Sequence, residues 1–241
     1  MICPKCNTEI SENSKFCNEC GHDMTPEFVS AKMPVGADAE RKQITALFSD
    51  ISGYTAMTGK LDPEDVREIT GKIFQEIKQL VARYDGFIEK FAGDGALILF
   101  GVPQAHEDDP VRAIRAAREI HDCVDTISPL YEPRLGRRLA MHSGINTGLA
   151  VTADVDSQKG THGVTGEAIN IAARLSDLAK AGQILVGSGT ARATEGHFIF
   201  RDLGTQAVSG KAKPISIFEL IGPREKPETT HRITGLQAEL T

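Results

Sequence analysis

The sequence has no run of about 18 apolar residues, so we expect no membrane-spanning helix and no membrane partner. The N-terminus, MICPKCNTEI, also lacks the apolar core that a secretory signal peptide needs. Basic residues are in the minority, 27 Lys and Arg against 33 Asp and Glu, which argues against a nucleic-acid-binding protein. We therefore expect a cytoplasmic, globular protein without a nucleic-acid partner.

Cysteine is scarce outside the N-terminus, since four of the five cysteines lie in the first 20 residues. These four form two CxxC pairs, and two such pairs suit a tetrahedral Zn²⁺ ion with four thiolate ligands. Two disulfides are the alternative, but they are typical of secreted peptides and no secretory signal is present. The pattern predicts a zinc ribbon over residues 1–22 that holds one structural Zn²⁺ ion through Cys3, Cys6, Cys17 and Cys20.

The rest of the chain divides by composition. Residues 23–40 contain two prolines and Gly36 without a clear hydrophobic period, which is typical of a linker. Residues 41–221 alternate apolar runs with turn residues and form the predicted main domain. Residues 222–241 are polar, and we interpret them as a tail or as a linker to a missing C-terminal domain.

The order of elements in the main domain predicts its fold class. An apolar run at 44–51 indicates a buried strand, and Asp62-Pro63 begins a helix whose apolar residues recur every three or four positions. Asp109-Pro110 opens a second helix. The further predictions are strands at 87–92, 96–101, 139–146, 149–155, 184–187, 198–203 and 215–220 and a helix at 167–180. This order predicts an α+β domain with the split βαβ arrangement of ferredoxin-like folds, a mainly antiparallel sheet and helices on one face.

Two acidic turns form the first candidate site. Asp50 ends the first strand, and Asp94 lies at the tip of the hairpin that joins the next two strands. In a split βαβ sheet these strands are neighbours, so the carboxylates converge and repel each other unless cations lie between them. Mg²⁺ binds one or two carboxylates plus substrate phosphate oxygens, and two such ions about 3.5–4 Å apart clamp both oxygens of a phosphoryl displacement. Taken alone, the Asp50 turn is more typical of a capped strand-to-helix turn; together with Asp94 it favours a two-metal site.

The turn after Asp50 is a candidate phosphate site. Backbone N–H groups at the start of a helix bind phosphate, and Gly53 lets the backbone approach a ligand closely. The predicted phosphate contacts are Ser52, Gly53, Tyr54 and Thr55. One edge of the sheet would then hold both the metal ions and a triphosphate.

Three stretches, FSDISGYT, KFAGDGALILF and GEAINIAARL, resemble in order and spacing the signature motifs of the class III adenylyl and guanylyl cyclase domain. The resemblance covers residues 42–220, and the zinc ribbon makes the chain more similar to bacterial members related to soluble adenylyl cyclases than to receptor cyclases. It implies that Asp50, Asp94 and the backbone carbonyl of Ile51 bind two Mg²⁺ or Mn²⁺ ions. It also implies that Lys90 contacts the adenine ring of an ATP substrate.

The resemblance assigns the third motif to catalysis. It implies that Asn170 positions the ribose and that Arg174 stabilises charge on the phosphate in the transition state. The two residues are four positions apart on a predicted helix and share one face, for which a solvated surface is the alternative. A planar guanidinium is the usual partner of a developing phosphoryl charge, which favours the catalytic role. In this family one subunit of a head-to-tail dimer supplies the aspartates and the other supplies Lys90, Asn170 and Arg174, so a homodimer is expected.

Two positions depart from the family pattern, and a third differs from some relatives. Gly163 stands where the family usually has an Asp or Thr that reads the adenine amino group. The candidate substitutes are its neighbour His162, a backbone group or a water molecule. Ser209 stands where a lysine usually binds the triphosphate, and Lys211 and Lys213, which follow it, are the candidate phosphate contacts. Of the two, Lys211 is the predicted contact, and the alternative is that both are solvated surface lysines. His142 occupies the place of a phosphate-binding Arg in some relatives, and we interpret it as a structural residue of its strand.

The predicted function is an adenylate cyclase that converts ATP to 3′,5′-cyclic AMP and pyrophosphate by two-metal-ion catalysis at a homodimer interface. Lys90 favours ATP, because guanine-specific members usually carry a Glu at this position. A guanylate or relaxed-specificity cyclase is one alternative, since Gly163 has no side chain to read a base. A catalytically silent, cyclase-like regulatory or interaction module is another. The zinc ribbon and a further C-terminal domain are the candidate contacts for a protein partner.

Overall fold

The computed structural model describes residues 40–152, 163–206 and 214–224, and the account of the fold refers to these residues. The predicted zinc ligands, the linker up to residue 39, His162, Lys211 and the tail beyond residue 224 fall outside them. No helix in the described ranges is long and apolar enough to cross a membrane.

The described residues form one seven-stranded sheet in the order β2-β3-β1-β4-β5-β7-β6. The strands are β1 (Glu40–Ile51), β2 (Phe87–Ala92), β3 (Gly95–Phe100), β4 (Met141–Thr152), β5 (Ile184–Gly187), β6 (Phe198–Gln206) and β7 (Ile215–Pro223). The helices are α1 (Tyr54–Thr58), α2 (Pro63–Arg83), α3 (Asp109–Leu135), α4 (Glu167–Leu178) and α5 (Ser188–Thr194).

The first four strands have the predicted split βαβ topology. β3 lies between β1 and β2 and is antiparallel to both, and β4 pairs antiparallel with the other edge of β1. Of the strand pairs in the described residues, only β4 and β5 run parallel. The predictions of an α+β fold and a mainly antiparallel sheet are therefore confirmed.

The two long helices follow the predicted pattern. α2 begins at Pro63, and α3 has Pro110 as its second residue. The first N–H groups of a helix have no partner within the helix, so a proline there loses no hydrogen bond. The apolar positions of α2 are buried against α3 and one face of the sheet, and burial of each large side chain contributes about 1.5–3 kcal/mol. The buried residues that the spacing predicted are Val66, Ile69, Ile73, Ile77 and Leu80 of α2 and Val111, Ile114, Ala117, Ile120 and Val124 of α3.

The prediction that the helices lie on one face of the sheet is wrong. Leu47 and Ile51 of β1 pack in a core with α2 and α3, whereas Ile44 and Ala46 pack in a second core with α4. Successive strand residues point to opposite faces, so α4 covers the face opposite to α2 and α3. The physical reason is that β1 is apolar on both faces and needs cover on each.

The prediction of two strands over 139–146 and 149–155 is also corrected. β4 is continuous from Met141 to Thr152 and stays paired with β1 throughout, and residues 153–155 lie outside the described part of the chain. Gly148 is paired with Ile44 rather than forming a turn. A Cβ at Gly148 would lie 3.3 Å from that of Ala168, so the glycine makes room for α4 instead of breaking the strand.

Candidate active site

β1 and β3 bring Asp50 and Asp94 together. In the antiparallel register Asp50 lies opposite Gly95, and the Ile51 N–H donates to the Asp94 carbonyl oxygen at 3.1 Å. A Cβ at Gly95 would lie 1.6 Å from Asp50 Oδ1, so the Asp50 carboxylate occupies the space that this glycine leaves open. The predicted convergence of the two acidic turns is therefore present, and Gly95 is what lets Asp50 turn toward the hairpin.

Asp50 is an acid in an unfavourable position for a negative charge. Burial raises the pKa of its carboxyl, and the nearby charges of Asp94 and Asp177 raise it further, while Ser176 and His142 act in the opposite direction. The net effect is that the pKa of Asp50 is raised above its ordinary value. A cation between Asp50 and Asp94 would relieve the repulsion, which is the physical basis for expecting a metal ion there.

Two neighbours of Asp50 were not predicted as site residues. Ser176 of α4 donates a hydrogen bond from its Oγ to Asp50 Oδ2 at 2.9 Å and is almost fully buried. His142 lies opposite Asp50 on the β4 side, and its Nδ1 is 2.9 Å from Ser52 Oγ. Local periodicity marks Ser176 only as part of a buried helix face, because its contact with Asp50 depends on where α4 crosses the sheet.

The turn of residues 52–55 differs from the expected phosphate cradle. The Ser52 N–H already donates to the Ala140 carbonyl oxygen at 2.8 Å, so this group is not available to a phosphate. Gly53 has a φ of +82°, a left-handed conformation that favours glycine, and the helix α1 that follows has only five residues. So short a helix adds little dipole, and the turn needs another source of positive charge to hold a triphosphate.

Arg137 supplies a positive charge at this turn. A Cβ on Gly53 would lie 2.2 Å from Arg137 Cζ, so the guanidinium rests directly against the glycine backbone. Its Nη2 is 3.5 Å from the Ser52 carbonyl oxygen. Arg137 lies between α3 and β4 in a pair of adjacent arginines, and nothing in its local sequence distinguishes it from the neighbouring Arg138.

Asn170 and Arg174 share a face of α4 that points away from the sheet. The buried residues of this helix are Ala168, Ile169, Ala172, Leu175 and Ser176. Asn170 and Arg174 both lie on the side opposite these buried residues, where Asn170 is exposed and Arg174 is half-buried. Within the described residues no hydrogen bond or ion pair joins either of them to Asp50 or Asp94. The predicted transition-state residues therefore lie on the side of α4 turned away from the sheet that carries the predicted metal ligands.

The two predicted base contacts that the structure describes are both exposed. Lys90 lies on the edge strand β2, next to a break in its pairing with β3. Gly163 has a φ of +53°, a conformation that favours glycine, and it offers no side chain to a base. Their roles in base recognition stay predictions.

The donors at the end of β1 fit magnesium or manganese bound together with a nucleotide. The described residues contain no group of three or more His, Cys, Asp or Glu side chains that could hold a metal ion. Two carboxylates and a carbonyl are hard oxygen donors, and Mg²⁺ uses one or two carboxylates when phosphate oxygens complete its shell. The donor set therefore suits a metal that arrives with its substrate.

Comparison with known proteins agrees with this geometry. Residues 37–222 match the family model of the adenylate and guanylate cyclase catalytic domain, and residues 2–24 match that of a zinc-ribbon domain. Adenylate cyclase 1 of Rhizobium meliloti is 27% identical over 203 residues, 83% of this chain, and the chain spans only 30% of that enzyme's length.

Solved structures also resemble this chain. The adenylyl cyclase CyaB from P. aeruginosa superposes with a TM-score of 0.73 at 26% identity, covering 78% of this chain and 97% of CyaB. The guanylyl cyclase Cya2 superposes with a TM-score of 0.72 at 30% identity, covering 78% of this chain and 95% of Cya2. The chain therefore belongs to the adenylate and guanylate cyclase family and carries that family's catalytic domain behind an N-terminal zinc ribbon.

Proposed function

We propose that this chain is an adenylate cyclase that converts ATP to 3′,5′-cyclic AMP and pyrophosphate at a homodimer interface. The observation that carries the proposal is the meeting of Asp50 and Asp94 at the end of β1, beside a turn covered by Arg137. Paired carboxylates next to a cation suit a nucleotide bound through divalent ions and its phosphates. Likeness to a Rhizobium adenylate cyclase and to CyaB supports ATP, while likeness to Cya2 keeps the guanylate alternative open.

The chemistry divides between bound ions and side chains. Asp50, Asp94 and the Ile51 carbonyl would hold two Mg²⁺ or Mn²⁺ ions, which supply Lewis-acid activation of the ribose 3′-hydroxyl and neutralise charge on the phosphates. The 3′-oxygen bonds to the α-phosphorus as the bond to the pyrophosphate oxygen breaks, and the hydroxyl proton passes to water or substrate. Arg174 stabilises the charge that grows on the α-phosphoryl group, and Asn170 orients the ribose.

The exposed face of α4 supports a two-subunit site. Asn170 and Arg174 point away from the sheet that carries the aspartates, so a single chain does not complete the constellation. A head-to-tail pair of chains would set this face against the Asp50 and Asp94 edge of the partner subunit. Symmetric dimers repeat every contact, so a homodimer would contain two complete sites.

The zinc ribbon is proposed to be a separate structural module. Its family match covers residues 2–24, and the proposed ligands are the four thiolates of Cys3, Cys6, Cys17 and Cys20. A segment of this length depends on metal binding for its folding.

The test of the proposed substrate is an assay of the full chain with ATP and with GTP, each in Mg²⁺ and in Mn²⁺. We expect kcat/KM for ATP to exceed that for GTP by at least about tenfold, and Lys90→Glu to reduce this preference by about tenfold, or ~1.4 kcal/mol. Lys72→Glu, which changes an exposed lysine of α2, is the control and should leave the preference unchanged. A faster reaction with GTP would favour the guanylate cyclase, and no product from either nucleotide would favour the silent module.

Arg137 allows a separate test of the phosphate turn. Arg137→Ala removes the guanidinium from Gly53, and we expect KM for ATP to rise about threefold to tenfold because one charged contact to phosphate is lost. The steady-state kcat should change less than KM, since the contact serves binding of the triphosphate. Arg138→Ala is the matched control, because the adjacent Arg138 faces Glu132 at 3.8 Å instead of the turn. Equal effects of the two substitutions on KM would contradict a specific role for Arg137.

A further inference from the structure

Helix α4 rests directly on the backbone of β4. A Cβ at Gly144 would lie 2.2 Å from both the Ala172 carbonyl oxygen and the Ser176 nitrogen. No side chain can separate helix and strand at this point, so the position of the last turn of α4 relative to the sheet is set by backbone contact. A side chain on that turn is therefore held at a defined place over the neighbouring strands.

The side chain held there is that of Ser176. It is 1% exposed, and its Oγ donates to Asp50 Oδ2 at 2.9 Å. Asp50 Oδ1 lies over Gly95 of the hairpin, so one carboxylate oxygen faces the Asp94 turn and the other faces α4. A carboxylate with one oxygen tied to a hydroxyl has lost the freedom to rotate about its last bond.

We propose that Ser176 is a positioning residue that holds the Asp50 carboxylate in the orientation needed to bind a divalent ion. This inference rests on the proposed metal-dependent cyclase function. Carboxylates that bind metals are themselves commonly hydrogen-bonded, and loss of such a partner costs roughly 10- to 100-fold in metal affinity or activity. Ser176 acts through Asp50 and does not itself touch substrate.

The contact also joins two parts of the proposed machinery. Ser176 lies on the sheet-facing side of α4, and Asn170 and Arg174 lie on the opposite side. The helix that carries the proposed transition-state residues is therefore the one that orients a metal-binding carboxylate of the same chain.

The test measures Mn²⁺ binding to the full chain without turnover, by electron paramagnetic resonance of free Mn²⁺ in the presence of 3′-deoxyATP. This nucleotide lacks the hydroxyl that would attack and so cannot cyclise. We expect Ser176→Ala to raise the Kd for Mn²⁺ at least about tenfold. Asp50→Asn should raise it further, because it removes the ligand itself.

Thr194→Ala is the matched control. Thr194 is as buried as Ser176, and its Oγ1 donates to the Thr190 carbonyl oxygen at 2.8 Å within α5, which carries none of the proposed site residues. This variant should unfold at a lower temperature and still bind Mn²⁺ with unchanged affinity. The proposal would be overturned if Ser176→Ala folds and its Kd for Mn²⁺ is within twofold of the Kd of the unaltered chain. A twofold change in Kd corresponds to roughly 0.4 kcal/mol.

The outcomes separate this inference from the proposed function. Suppose that Ser176→Ala weakens Mn²⁺ binding but the unaltered chain forms no cyclic nucleotide from ATP or GTP. This result would support the positioning role and reject the cyclase activity. Cyclase activity together with unchanged Mn²⁺ affinity in the folded variant would reject the positioning role alone. No Mn²⁺ binding by the unaltered chain would overturn both.

Discussion

Replacing Asp50 with asparagine is expected to lower kcat for cyclic nucleotide formation by about 100- to 1,000-fold. The amide keeps the shape of the carboxylate but not its charge, so the proposed divalent ion would lose a principal ligand at the end of β1. The measurement is the steady-state rate at saturating nucleotide and Mg²⁺. Asp125→Asn, which changes an exposed carboxylate on α3, should keep full activity.

The same substitution is not expected to destabilise the fold. Burial and the nearby Asp94 and Asp177 raise the pKa of Asp50 in the folded chain, so folding favours its protonated form. A carboxyl of this kind contributes stability below its unfolded pKa that is lost as the pH rises through its folded pKa. At neutral pH a charged Asp50 costs folding free energy because the carboxylate is buried near other acids. A neutral amide avoids this cost, so thermal unfolding of Asp50→Asn should occur at an unchanged or higher temperature. A large loss of stability with a proportionate loss of activity would point to a structural role for Asp50.

Mixing two inactive variants is expected to restore activity if the site is shared between subunits. Asp50→Asn removes a proposed metal ligand, and Arg174→Ala removes the group proposed to stabilise the transition state. In a mixed dimer one site carries both defects and the other carries neither. Random pairing of equal amounts makes half of the dimers mixed, each with one intact site, so about a quarter of the original activity should return.

The control for complementation places both substitutions in one chain. A double variant mixed in equal amount with the unaltered chain gives mixed dimers in which each site has one defect, so only the unaltered homodimers stay active. Activity should therefore fall on subunit exchange, from about half to about a quarter of that of the same total amount of unaltered chain, whereas activity in the mixture of single variants should rise. The assay is cyclic nucleotide formation after mixing, with exchange of subunits verified by size and labelled chains. Failure of the two single variants to restore any activity, despite verified mixed dimers, would contradict the shared site.

Much of the fold was predictable because the local signals were strong. The spacing of Val66, Ile69 and Ile73 and the Pro63 start identified α2, and alternation with turns identified the first three strands. The split βαβ order then follows from the sequence of elements, and it correctly places β1 beside β3. The meeting of Asp50 and Asp94 is a direct consequence of that topology.

Other features were missed because they depend on packing between distant segments. Thr147-Gly148 was interpreted as a break, but continuous pairing with β1 keeps β4 in one piece. The short helix α5 was not predicted, since Ser188–Thr194 is too brief to show a helical period. The face that α4 covers was also predicted wrongly, because an amphipathic helix shows which of its sides is apolar but not which face of a sheet it meets.

The amino-acid sequence by itself determined the family, the order of the elements and the acidic turns at the end of β1, because each of these is written in short contiguous motifs or in a regular period. Only the tertiary structure decided that Ser176 bonds to Asp50, that Arg137 lies on Gly53, and that Asn170 and Arg174 lie on the side of α4 that faces away from the sheet. The physical reason is that these contacts arise where a helix or loop crosses strands distant in the chain. Their position depends on strand register and on the close packing at Gly144, which no local pattern specifies.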